Sequence, residues 1–174
     1  MFDWKYLKSA LCLGFFLGLI FGVVNLMMSW RFPLLEDTKG VLLSFWGPMF
    51  FIWAVASYRS ARKHAKLFSG LVTGLIVAFA TICVFDILNL LRFQLFLNEL
   101  TARSDWQGMM QQFRESGYDS LRTFVTMATI KITPLMIVIG SFIGAVMGVV
   151  GGVMGLLSLE WRPTAEKHDG AAAH

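Results

Sequence analysis

Four long apolar runs, separated by short polar stretches, constrain this chain more than any other feature. They cover Leu7 to Trp30, Val41 to Tyr58, Leu67 to Leu97 and Pro134 to Leu159. A helix crosses the hydrocarbon core of a bilayer with about 20 apolar residues, at a rise of about 1.5 Å each. In lipid every backbone polar group must be satisfied within the segment, so such runs span as helices. The sequence therefore predicts an all-α integral membrane four-helix bundle. Its spans are expected at 7–30, 41–58, 67–91 and 134–159, within one membrane domain of residues 1–160 and before a polar tail at 161–174. The first run has no small-residue cleavage site after a short core and reads as a retained span.

Charge placement agrees with that reading. Soluble domains carry about 25% charged residues, whereas this chain carries 15%, most of them between the runs. The net charge of +4 is concentrated in the stretch Arg59, Arg62, Lys63 and Lys66, which has no acid within it. A dense basic loop is a topology signal rather than a nucleic-acid surface, because short loops rich in Lys and Arg stay in the cytoplasm. Lys5, Lys8, Arg162 and Lys167 fall on the same side, and Arg31, Lys39, Arg92, Arg103, Arg114, Arg122 and Lys131 on the other. The expected placement is multi-pass in the inner membrane of a cell with both termini cytoplasmic. Trp4, Tyr6, Trp30, Tyr58 and Trp161 fall at run ends, where aromatic belts form. Pro48, early in the second run, removes one helix bond and predicts a kink.

The polar segment Asn98–Arg122 carries a helical stripe of Trp106, Met109, Met110, Phe113 and Gly117. Ser104 and Gln107 form a capping-box pattern that predicts a helix from Asp105, and Gly117 is the expected stop. This helix is expected to lie at the extracytoplasmic surface between spans three and four. Thr133 before Pro134 predicts an N-cap and first helical residue for the last span.

Glycine spacing is the strongest local pattern. Gly14, Gly18 and Gly22 recur every fourth residue in the first span, following Ala10. Gly70 and Gly74, with Ala78, do so in the third, and Gly140, Gly144, Gly148 and Gly152 in the fourth. Small residues let helix backbones approach closely where lipid offers no hydrophobic drive for pairing. Such glycine-zipper strips serve either packing within the bundle or, on the fourth span, a homo-oligomer or partner membrane subunit.

Asp86 is the one acid inside an apolar run. Twenty residues beyond Lys66, it lies ~30 Å from the basic end, near the opposite headgroups. Two readings stand. Asp86 forms a structural ion pair with Lys131 or Arg92, or it forms an ion or proton site with Asn89 and Asn25 at similar depth. Cys12 and Cys83 differ in depth by ~15 Å, beyond the ~7 Å a disulfide allows. The histidines, His64, His168 and His174, show no metal-ligand spacing, and neither a phosphate-binding loop nor a Gly-x-Ser-x-Gly turn is present. No catalytic residue, metal or cofactor is expected.

The layout resembles a family of four-span bacterial membrane proteins, domain of unknown function 4199. The features that carry this are Tyr58-Arg59-Ser60, Lys66-Leu67-Phe68-Ser69-Gly70, the Asn98–Arg122 segment with Met109-Met110, and the glycine-bearing final span. The resemblance implies a four-span fold and no reaction. The sequence thus predicts a non-enzymatic scaffold, accessory or assembly subunit packed through glycine strips. The alternative is a small ion, proton or solute transporter or channel using Asp86, Asn89 and Asn25.

Overall fold

Helices form along all four apolar runs and extend beyond the first, second and fourth of them. The computed structural model describes residues 4–161 apart from 33, 34, 36 and 37. The tail beyond Trp161 and the acids Glu36 and Asp37 lie outside the described residues. In order, the helices are α1 (Trp4–Arg31), α2 (Lys39–His64), α3 (Leu67–Leu95), α4 (Leu97–Thr101), α5 (Gln107–Ser116) and α6 (Leu121–Glu160). Among the described residues there is no strand. Four of the helices, α1, α2, α3 and α6, are long and apolar enough to cross a membrane, the architecture of a multi-pass membrane protein. Large side chains such as Phe15, Phe16, Leu43, Phe51, Val138 and Phe142 are exposed along them, as a lipid-facing surface requires.

Three boundaries differ from the sequence expectation. The basic stretch from Arg59 is not a loop: α2 continues through Arg62, Lys63 and His64. Cations in a last turn are favoured by the helix dipole, and Ala65, left-handed at φ 50°, ends the helix by donating its N–H to the Ala61 carbonyl. The surface helix begins at Gln107, after a single 3₁₀ turn at Ser104–Trp106, and stops at Gly117 with φ 71°. The last helix starts at Leu121 and runs straight through Pro134. Proline deprives the Ile130 carbonyl of its donor. Thr129 and Thr133 donate to the Val125 and Thr129 carbonyls at 2.8 and 3.0 Å, bonds that help a lipid-embedded helix tolerate the break. Its 40 residues measure ~60 Å, twice the hydrocarbon thickness.

α3 is the axis of the bundle, with 39% of its apolar window buried against 17–28% in the other three spans. α1 runs parallel to it at a constant offset: Tyr6 reaches the Ser69 carbonyl and Arg92 reaches Ser29, both 63 residues apart. A Cβ at Gly14 would meet Val77 and Ala80, and one at Gly18 would meet Thr81 and Val84. α6 runs antiparallel to α3. A Cβ at Gly148 would lie 2.9 Å from the Gly70 carbonyl oxygen, and one at Gly144 would strike Ala78 and Gly74. Gly151 and Gly155 serve the contact with α2 in the same way, against Ala54 and Tyr58. The strips therefore pack the bundle itself. The strip on the last span is buried against α3.

Candidate functional site

The α3 face that meets α6 changes character along its length. Between Gly70 and Ile82 it is small or apolar. Beyond Ile82 it carries Phe85, Asp86, Asn89 and Phe93, and α6 opposite carries Thr129, Thr133, Met136 and Ile139 where it had glycines. Large side chains hold the two helices apart there. The result is a cavity of about 530 Å³ bounded by α2, α3, α5 and α6. Its floor is set by Trp53 on α2 and Gly140 on α6, and its far end by Met109 and Gln112 on α5. Trp46, Phe50, Trp53, Phe85 and Phe93 give it an aromatic wall.

Two buried side-chain atoms among the described residues have no hydrogen-bond partner, Trp53 Nε1 and Asp86 Oδ2. Both residues line this cavity. Most buried polar groups in folded proteins are paired, and an unpaired one inside a membrane is costlier still. The ion pairs expected from the sequence are not formed. Lys131 is exposed. Arg92 turns to α1, where its Nε donates to Ser29 Oγ at 2.5 Å. The structure does bring together the two asparagines: Asn25 Nδ2 donates to Asn89 Oδ1 at 3.3 Å. The polar residues of α3 are thus divided. Arg92 and Asn89 bond to α1, and of the two only Asn89 shares the cavity wall with Asp86.

A second cavity of about 360 Å³ lies beside the first, lined by Asn25, Ser29, Asn89, Arg92, Arg103 and Asp105 among others. Arg103 grips Asp105 through both carboxylate oxygens, with Nε to Oδ1 at 2.9 Å. Trp46, Phe85, Asn89, Phe93 and Met109 line both cavities and form the wall between them. Over this region lie α5 and the 3₁₀ turn before it, packed through Phe113 on Phe124 and Trp106 on Phe93, with ring centroids 5.7 and 5.5 Å apart.

Sequence reasoning found Asp86, Asn89 and Asn25 but missed the cavity and its aromatic wall. Trp46, Phe50 and Trp53 follow helical spacing, i, i+4, i+7, a signal that was open to reading. Thr129 and Thr133 were hidden by the expectation that the helix starts at Pro134. Among the described residues no group of three or more His, Cys, Asp or Glu gathers as metal ligands would. Cys12 and Cys83 are both free. No protein-family model, curated protein or solved structure matches this chain.

Proposed function

We propose that the chain is a small solute-binding or transport protein of the membrane, with the Asp86 cavity as its site. The observation that carries this is the carboxylate itself. Asp86 holds a buried oxygen with no partner and lines a cavity of about 530 Å³, within the 300–1,000 Å³ typical of small-molecule sites. A charge kept in the membrane without a partner is costly and is by default functional. The scaffold or assembly role loses its main support, because each glycine of the strips meets a neighbour in the same chain. No catalytic step is part of this proposal. Membership of the four-span family named above, which has no established activity, leaves it unchanged.

The proposal includes the inner membrane and cytoplasmic termini. Support comes from Arg59, Arg62, Lys63 and Lys66, exposed at the bundle end where α1 starts and α6 stops. Proteoliposomes containing the protein are the direct test: uptake of protons, alkali cations and a panel of small solutes is compared with that of Asp86→Asn. Uptake or binding of at least one of these, lost on substitution, is expected. Activity unchanged in Asp86→Asn would overturn the assignment, as would its absence across the panel.

A further inference from the structure

Resting on that reading, we infer that the Asp86 cavity takes a monovalent organic cation with a bulky apolar or aromatic body, entering sideways from the lipid. Three features of the wall select this class.

The first is charge. Asp86 is the one ionisable group on the cavity wall, so the site supplies a single negative charge. Calcium binds six to eight oxygens and magnesium six in near-octahedral order. Beyond Asp86, the oxygens on this wall belong to Asn89, Gln112, Thr129 and Thr133. These residues stand on α3, α5 and α6 around a space of about 530 Å³. A dehydrated inorganic ion, which needs its oxygens at about 2.0–2.6 Å, is poorly matched to so large and mostly apolar a space.

The second is the aromatic wall. Indole and phenyl faces attract cations within about 6 Å of the ring, and Trp46, Phe50, Trp53, Phe85 and Phe93 surround the carboxylate's cavity. They offer an apolar body extensive contact and its charge further attraction.

The third is the route in. Ile132, Met136 and Ile139 line the cavity and are also 43–45% exposed on the lipid-facing surface of α6. The cavity thus reaches the side of the bundle that lipid covers. A ligand that partitions into the membrane has access without crossing the α5 cover.

Ions of matched shape and opposite charge provide the test. Binding of tetraphenylphosphonium, tetraphenylborate and neutral triphenylphosphine oxide is measured on the full chain in nanodiscs. Modification of Asp86 by dicyclohexylcarbodiimide is followed in parallel by peptide mass spectrometry. The phosphonium is expected to bind, to protect Asp86 from the carbodiimide, and to weaken about tenfold or more in Asp86→Asn, as loss of an ionic partner implies. Trp46→Ala should weaken it several-fold. Ala128→Trp, which fills the cavity and leaves Asp86 in place, should abolish it; a fold check by thermal unfolding accompanies each variant. Equal binding of the neutral compound, undiminished in Asp86→Asn, would overturn the cation inference and leave a solute site standing. Protection of Asp86 by sodium or potassium and not by the phosphonium would do the same, in favour of an inorganic ion site. If none of these ligands binds and the carbodiimide does not reach Asp86, both the inference and the site it rests on fall.

Discussion

The two halves of the bundle pack by opposite rules. Toward the end that carries the termini, α3 and α6 are joined glycine to glycine, with Gly70, Gly74, Gly144, Gly148 and Gly152 in mutual contact. The same helices, followed past Gly140, are separated by Phe85, Thr133, Met136 and Ile139, and a cavity opens between them. Lipid gives helices no hydrophobic reason to pair, so van der Waals contact has to hold them together. Where backbones touch, the bundle is closed and nothing can bind. Where side chains hold them apart, contact energy is given up and a polar group can stay in the membrane. One helix pair is therefore a clamp at one end and the wall of a cavity at the other.

The comparison breaks most directly at the clamp. A Cβ at Gly144 would collide with Ala78 Cβ and the Gly74 carbonyl oxygen, neither of which is a flexible chain end. Gly144→Leu is expected to destabilise by about 3 kcal/mol or more, the upper range for overpacking. The check is thermal unfolding in detergent together with mass measurement. Because this glycine meets its own chain, the variant should lose its fold at unchanged oligomeric mass. Dissociation of an oligomer into folded, stable monomers would instead mean that the strip binds another subunit.

At the other end the sign reverses. Asp86 holds a buried oxygen that bonds to nothing, so removing the charge relieves a cost. Asp86→Leu is expected to leave stability unchanged or to raise it by about 1–2 kcal/mol, while ligand binding is lost. Thermal unfolding of the ligand-free protein in the same detergent measures this. A loss above about 1 kcal/mol would reveal a stabilising partner for Asp86. The α5 helix over the cavity gives a smaller test. Gly108, in its first turn, has open space around it, and Gly108→Ala should raise α5 helicity, protecting its amides from hydrogen exchange by about 0.5–1 kcal/mol.

How much of this could be read in the residues alone follows from the same contrast. The clamp was legible, because i, i+4 glycine spacing encodes backbone approach directly, and the four runs encode the spans through length and hydropathy. Depth along α3 was legible as well: counting from Lys66 put Asp86, Asn89 and Asn25 near one level, and Asn25 and Asn89 do meet. The partner of Asp86 was not. Lys131 and Arg92 both stand at suitable heights, but which way each side chain turns depends on Ser29 on α1 and on the outward face of α6. The cavity was illegible for a related reason, since a void is set by how far large side chains on three helices hold one another apart. Pro134 misled because Thr-Pro has the same form at a helix start and inside a membrane helix. The threonines that bond back along α6 show the difference only once the helix exists.

The smallest expected effect is the most informative about the boundary between clamp and site. Asn25 and Asn89 tie α1 to α3 by one hydrogen bond of 3.3 Å, one turn past Gly22, the last glycine of the α1 strip. Interhelical hydrogen bonds in membranes average about 0.6 kcal/mol, because amides also find partners when the helices are apart. A double-mutant cycle with Asn25→Ala and Asn89→Ala should give a coupling near ~0.6 kcal/mol, and its long distance and partial burial argue against more. Asn89 also forms part of the wall between the two cavities. Asn89→Ala should therefore disturb ligand binding more than Asn25→Ala does, although the two remove the same bond. If both changes weaken binding equally, the bond itself shapes the site, and the clamp extends one turn further along α3 than its glycines do.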